Sequence, residues 1–223
     1  MNRRRAAELG GRLAEHVAAG IARLAGRRYF DGAYFDRVYA DRDPWGYAAS
    51  PYEAARREAV LAALPRQRYR SILEVGCGEG HTTRRLAERG DRVVGLDISD
   101  RAVARAVELP ANVRVARGDL LAPTLPPEAP AGAFDLVVCA EVLYYCYPFP
   151  FGRTSRLVRD RIVAWLAPGG DLVLEHPRHT LAHRPFDRLV GATLVTLERR
   201  RVALPPRPVA IAVYRRREGA VRA

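Results

Sequence analysis

Residues 71–75 read Ser-Ile-Leu-Glu-Val, an apolar run that breaks into alternating glycines at Gly76-Cys77-Gly78-Glu79-Gly80. A second apolar run follows and ends in Val93-Val94-Gly95-Leu96-Asp97. This pair constrains the fold more than any other feature of the chain. It describes a buried strand, a sharp glycine turn, a helix and a neighbouring strand closed by an acid. Gly76 allows the turn. Gly78 and Gly80 carry no Cβ, so a ligand can approach their backbone closely. Asp97 is expected across the cleft, with two oxygens able to accept bonds from a ribose diol. The pattern predicts a nucleoside-bearing cofactor at the carboxyl edge of a parallel sheet.

The third glycine decides between cofactors. A dinucleotide fingerprint is Gly-x-Gly-x-x-Gly. Here the order is Gly76-x-Gly78-x-Gly80, and His81 stands where that fingerprint wants glycine. Glu74 precedes the turn, where it would repel phosphates but suit a cation. S-adenosylmethionine is a nucleoside with no phosphate, one sulfonium and one ammonium, and those charges fit a site bearing Glu74 and Asp97. The segment resembles the first motif of the class I methyltransferases, acidic-x-Gly-x-Gly-x-Gly.

The length of 223 residues suits one α/β domain with an appendage, and 48% hydrophobic residues supply a core. No apolar run approaches the ~20 residues that span a bilayer, and no signal-peptide core is visible. Cys77, Cys139 and Cys146 are odd in number and lack metal-like spacing, which predicts a cytoplasmic protein without disulfides. All 37 basic residues are arginine. The absence of lysine excludes a Schiff-base lysine, a pyridoxal phosphate anchor and a phosphate-loop lysine. The net charge of +12 is spread along the chain, which reads as a solvated surface rather than a polyanion site. Clusters at Arg3–Arg5, Arg199–Arg201 and Arg215–Arg217 keep the second reading open.

Residues 3–27 read as a helix, with Leu9, Leu13, Val17, Ile21 and Leu24 at helical spacing. Such a helix would pack on the main domain or on a second copy as a homodimer. Residues 29–52 hold Tyr29, Phe30, Tyr34, Phe35, Tyr39, Trp45, Tyr47 and Tyr52 and read as an irregular aromatic lid. Ser50-Pro51-Tyr52-Glu53 is a helix start with a capping box, and that helix should run to about Leu64. Residues 1–66 are thus expected to form a helical and aromatic cap on a domain at 67–223. Strands are predicted at 70–75, 92–97, 112–116, 134–140, 171–175, 193–200 and 209–215. Helices are predicted at 80–89, from a Ser99 cap to about Leu109, and at 154–166. Proline-rich residues 123–130 form a loop, and Pro168-Gly169-Gly170 is a turn signal. Repeated βα units with a terminal strand pair predict an α/β fold: a doubly wound, mostly parallel, seven-stranded sheet that binds ligands past the strand ends.

The strand ends bring Glu74, Asp97, Arg117-Gly118-Asp119-Leu120 and Ala140-Glu141-Val142-Leu143-Tyr144-Tyr145 to one cleft. The class I resemblance implies roles for them. Backbone at Gly76, Cys77, Gly78 and Gly80 would contact the amino-acid part of the cofactor. Asp97 would hold the ribose, Ile98 would pack on the adenine, Asp119 would accept the adenine amino group and the Leu120 amide would meet a ring nitrogen. Ala140 or Glu141 would help hold the methionine ammonium.

A narrower resemblance rests on Asp41-Arg42-Asp43-Pro44-Trp45-Gly46-Tyr47, Ser50-Pro51-Tyr52-Glu53, Tyr69-Arg70, Leu73–Cys77 and Ala140–Tyr145. Together these are similar to the nodulation protein S family, over about residues 36–180. The resemblance implies methylation of a free amine of a glucosamine in a chitooligosaccharide. The Tyr147-Pro148-Phe149-Pro150-Phe151 loop departs from the pattern, as does a short stretch after strand five, where acceptor pockets are usually shaped.

Methyl transfer requires chiefly that a lone pair be aligned behind the methyl group. A hydroxyl acceptor also needs a base, whereas an amine need only arrive neutral. The candidates are His176, first as it directly follows strand five, then His179, His183, Glu141 and Tyr144. A metal site from the three histidines is disfavoured by Pro177 and Pro185, which break a helix there. The leading reading is a methyltransferase acting on an amine or hydroxyl of a small, sugar-like or natural-product acceptor. The alternatives are an RNA methyltransferase and a non-catalytic binding protein. The stretch after strand four carries no Asn/Asp-Pro-Pro-aromatic motif for a flipped base, which reads against nucleic acid.

Overall fold

The computed structural model describes residues 28–106, 108–122, 124, 126–146, 152–177 and 188–219, with Ala18 and Ala22. Apart from Ala18 and Ala22, both helical, the helix expected over 3–27 lies outside the described residues, as do the 147–151 loop, His179 and His183. Seven strands make one sheet in the order β3-β2-β1-β4-β5-β7-β6. They are β1 Tyr69–Val75, β2 Gly90–Asp97, β3 Val113–Arg117, β4 Phe134–Ala140, β5 Leu166–Pro177, β6 Val195–Val202 and β7 Val209–Arg215. The first five run parallel, and β7 inserts antiparallel between β5 and β6. The mostly parallel doubly wound sheet expected from the alternating pattern is the fold observed. The order reverses beside β1, so the β1 turn opens into the crevice between β1 and β4, where such sheets bind ligands.

The helices are α1 Gly32–Val38, α2 Pro51–Leu61, α3 His81–Leu86, α4 Asp100–Arg105, α5 Leu143–Cys146 and α6 Arg153–Trp165. Strand alternation divides the core between the two sheet faces. One face holds Leu73, Val75, Val137, Cys139, Leu172 and Leu174 against Leu143, Val158, Ile162 and Trp165 from α5 and α6. The other holds Ile72, Val93, Leu136, Val138 and Val173 against Val60 and Leu61 from α2 and Leu86 from α3. Ser50 caps α2 by accepting from the Glu53 amide, as its sequence suggests.

Among the differences from expectation, three have clear physical reasons. The aromatic segment contains a regular helix, α1, capped by Asp31 accepting from the Tyr34 amide at 2.8 Å. Pro168-Gly169-Gly170 does not end the pairing. Phe134 pairs Leu166 and Leu136 pairs Asp171, so the turn is absorbed as an irregularity within β5. At its other end β5 continues to Pro177, because β7 offers Ala210 opposite His176 and Val209 opposite Pro177.

Arginines of the two described clusters, 199–201 and 215–217, find partners within the chain. Arg215 Nε donates to Asp171 Oδ1 at 2.7 Å, Arg200 donates to the Ala59 carbonyl at 2.9 Å, and Arg199 lies over the Tyr214 ring. Among the described residues no helix is long and apolar enough to cross a membrane.

Candidate cofactor and acceptor site

Past the carboxyl ends of β1, β2, β3 and β4 lies a cavity of about 1030 Å³. That is the upper end of the ~300–1,000 Å³ usual for small-molecule pockets. Gly76, Asp97, Ile98, Gly118, Asp119, Leu120, Ala140, Glu141 and Tyr144 all line it.

Gly76 makes the turn after β1 as the sequence suggests, whereas Gly78 is spared a side chain for packing within the protein. Gly76 has φ +76°, and a Cβ there would lie 2.6 Å from Val142 Cγ2. A Cβ on Gly78, at φ +54°, would lie 2.7 Å from the Tyr39 hydroxyl. The missing side chains are thus used for left-handed backbone and for packing against the protein itself. Gly80 turns towards Leu109 and caps α3, and neither it nor Gly78 nor Cys77 lines the cavity. Of the four, Gly76 alone is a wall residue.

Asp97 ties the turn to β2. Its Oδ2 accepts from the Gly78 amide at 2.8 Å and its Oδ1 from the Ser99 amide at 2.9 Å. Each oxygen retains a lone pair, and the side chain faces the cavity although 7% exposed. Burial raises its carboxyl above the ordinary range, against the pull of those amides.

Glu74 is displaced from its expected position. It lies beneath the turn on the α2 face, 4% exposed, and accepts from Thr83 Oγ1. Burial pushes its carboxyl up to about 8, so it is neutral near pH 7 and absent from the cavity lining. The period of β1 explains the correction. Glu74 shares a face with buried Ile72, whereas the chain reaches the cleft only at Val75 and Gly76.

At the β3 end, Asp119 Oδ1 accepts from the Leu121 amide at 2.7 Å, and its Oδ2 pairs with Arg28. Ile98, Gly118 and Leu120 complete an apolar slot there.

At the β4 end, Glu141 sits just past the strand with φ +56°, a left-handed backbone that costs a non-glycine residue about 1–3 kcal/mol. Tyr144 donates to Glu141 Oε2 at 2.7 Å, whereas Oε1 is buried with no hydrogen-bond partner among the described residues. Burial raises the Glu141 carboxyl, and burial together with Glu141 holds Tyr144 well above an ordinary phenol. Tyr144 is therefore a donor that steadies Glu141, not a base. Behind Glu141 lies a buried ionic chain. Arg56 donates from Nε to Glu53 Oε2 and from Nη1 to Glu175 Oε2, both at 2.7 Å. Burial and the nearby Glu141 charge raise the Glu175 carboxyl, against the pull of Arg56.

His176 does not join this group. It is 3% exposed, lies inside the extended β5 and does not line the cavity. Alternation along β5 puts it on the Leu174 face, opposite Glu175 and Arg56.

The aromatic segment forms the cavity's outer wall with Phe30, Phe35, Tyr39, Trp45, Tyr47 and Tyr52. It also docks the N-terminal segment: Phe30 and Phe35 meet Tyr145 edge to face at 5.1 and 5.2 Å. Asp36 accepts from Ser99 Oγ at 2.7 Å, and Arg105 donates to the Ala40 carbonyl at 2.8 Å. The hydroxyl of Tyr52 is buried without a hydrogen-bond partner among the described residues. Sequence reasoning missed the roles of Tyr39, Arg56 and Glu175; only Tyr39 was marked, as one aromatic among many.

The lining suits a cationic, phosphate-free nucleoside. It carries Glu53, Asp97, Asp119 and Glu141 against Arg28 and Arg207, and an orphaned carboxylate oxygen. A sheet of this order with such a cleft is the fold of the class I S-adenosylmethionine-dependent methyltransferases, and this chain has that fold. The general methyltransferase domain family matches residues 72–170. More narrowly, the chain is similar to nodulation protein S of Rhizobium tropici, 30% identical over 164 residues, covering 72% of this chain and 65% of that protein. The match thus spans just under two thirds of that relative's length. The solved N-methyltransferase NodS from Bradyrhizobium japonicum, in complex with S-adenosyl-L-homocysteine, superposes with a TM-score of 0.70 at 28% identity, covering 84% of this chain and 98% of that one. A solved chain from Pseudomonas syringae, assigned as a methyltransferase, is 30% identical with a TM-score of 0.57, covering 74% of this chain and 99% of that one. The family's cofactor is S-adenosylmethionine.

Proposed function

We propose that this enzyme transfers a methyl group from S-adenosylmethionine to the amine of a small, sugar-like acceptor. The observation that carries the reading is Glu141 Oε1, a buried carboxylate oxygen without a partner at the β4 end of the cavity. Similarity to nodulation protein S and to a solved N-methyltransferase supports nitrogen over oxygen.

When bound, S-adenosylmethionine supplies a methyl group already activated by its sulfonium. Asp97 would hold the ribose, with Gly76 beside the amino-acid part. Ile98, Asp119 and the Leu120 amide would hold the adenine, once Arg28 yields or shares Asp119. Ala140 and the β4 end would border the methionine ammonium. Glu141 Oε1 accepts a hydrogen bond from the acceptor N–H, which orients the nitrogen lone pair along the transfer line. The nitrogen gains the methyl group and sheds one proton, which Glu141 takes and passes to solvent. Tyr144 fixes the Glu141 rotamer. Arg56, through Glu175 and Glu53, keeps this region from accumulating three uncompensated carboxylates. The aromatic wall offers flat apolar faces that match a sugar ring.

The test is incubation with S-adenosylmethionine and glucosamine or a partly deacetylated chitooligosaccharide, with product fragmentation by mass spectrometry. N-methylation that falls at least ~100-fold in Glu141→Gln supports the reading. Methylation confined to a hydroxyl would replace it with the O-directed alternative.

A further inference from the structure

Among the described residues, one cation of the cavity lining makes only a long ion pair with the ionic chain. Arg207 lies in Pro206-Arg207-Pro208 on the connection from β6 to β7, and all three residues line the cavity. Prolines on both sides restrict the backbone that aims it. Its guanidinium sits over the Tyr52 ring, 5.1 Å from the centroid, a contact that holds a guanidinium while leaving its N–H edges available. Its closest carboxylate oxygen is Glu53 Oε1 at 3.8 Å, beyond hydrogen-bond reach. The other Glu53 oxygen is already bonded to Arg56 at 2.7 Å. Among the described residues Arg207 donates no hydrogen bond, although its side chain is only 33% exposed. The Arg207 charge also opposes, in part, the burial that raises the Glu141 carboxyl.

We infer that Arg207 is an oxyanion subsite, so that the natural acceptor bears a carboxylate or phosphate as well as its amine. The inference rests on the amine-acceptor reading above and narrows it to zwitterionic acceptors. A guanidinium fork matches either oxyanion, by two parallel N–H···O bonds. The charges then close locally: the amine meets Glu141, the oxyanion meets Arg207, and Glu53 stays with Arg56. A neutral amino sugar would leave the Arg207 donors facing water at the mouth. Tyr52 adjoins the subsite, since its ring supports Arg207 and its own buried hydroxyl has no hydrogen-bond partner among the described residues.

The experiment is calorimetric binding to the full chain saturated with S-adenosylhomocysteine, so it does not depend on turnover. The probes are glucosamine, glucosamine 6-phosphate and 2-amino-2-deoxyglucuronate. The proteins are wild type, Arg207→Ala and Arg207→Lys, each checked for an unchanged circular dichroism melt. In wild type at least one anionic probe should bind ~10-fold or more tighter than glucosamine. Which of the two is favoured separates phosphate from carboxylate. The preference should fall below about twofold in Arg207→Ala and survive in part in Arg207→Lys, which keeps the charge but loses the fork. Equal affinities in wild type, no measurable binding of either anionic probe, or a preference unchanged in Arg207→Ala would overturn the subsite. An Arg207-dependent preference without methylation of any amine would uphold the subsite and overturn the amine-transfer reading alone.

Discussion

Replacing Glu74 by Gln tests the charge beneath the glycine turn. Burial pushes this carboxyl up to about 8 in the fold, against an ordinary value of 4.5. A group that keeps its proton when folded and loses it when unfolded stabilises the fold fully below about 4.5. That stability is lost progressively as the pH rises and is gone near 8. At 1.36 kcal/mol per pH unit, the interval has a ceiling of ~5 kcal/mol, and local relaxation brings the expected effect to ~2–4 kcal/mol. Glutamine keeps an acceptor for Thr83 Oγ1 and cannot ionise. Glu74→Gln should therefore match wild type near pH 5 and exceed it by that amount near pH 8.5, in urea unfolding followed by circular dichroism. The Glu175 carboxyl is also raised by burial. Its slope is common to both proteins, so the difference curve isolates Glu74. A difference that stays constant across this range would refute the reasoning, because Glu74 would then be ionised in the fold. S-adenosylhomocysteine affinity near pH 7 should change less than about threefold, since Glu74 does not face the cavity.

Three further substitutions probe the frame of the site. Gly76→Ala should lower stability by ~2 kcal/mol or more in urea unfolding, through its left-handed backbone and the 2.6 Å approach to Val142 Cγ2. Adding Val142→Ala should recover about half of that loss. Glu141→Gly should leave stability unchanged or raise it by ~1 kcal/mol, by relieving the φ of +56°, while methyl transfer measured by product mass falls at least ~100-fold. Arg56→Met should destabilise by ~3–5 kcal/mol in the same unfolding assay, because Glu53 and Glu175 would be left buried without their shared cation.

The parts of the site legible in the sequence are those built from residues close along the chain. The glycine turn, Asp97 at the end of β2, Asp119 after β3 and Glu141 after β4 follow from strand, turn and strand-end logic. All four strand ends meet at one cavity. Pairings between distant segments were not legible. Arg56 and Glu175 are 119 residues apart, and nothing in either local pattern announces the bond. Arg207 sits in a proline-rich connection that reads as an ordinary turn. Glu74 and His176 were misplaced because their roles depend on which sheet face a side chain occupies and how far a strand runs. The partner strand β7 extended β5 past Glu175, and no residue within β5 records that extension. The aromatic segment gave two readings, a wall and a docking surface, and the structure shows both contacts in the same residues.

The central claim is that the cleft holds the adenosyl cofactor with its sulfur directed at the β4 end. A crystal structure of this chain with S-adenosylhomocysteine measures that directly. The account predicts ribose hydroxyls within ~3.2 Å of the Asp97 carboxylate, adenine between Ile98 and Leu120, and the sulfur on the Glu141 and Tyr144 side. An adenosyl group bound outside this cavity, or a sulfur pointing away from Glu141, would contradict it.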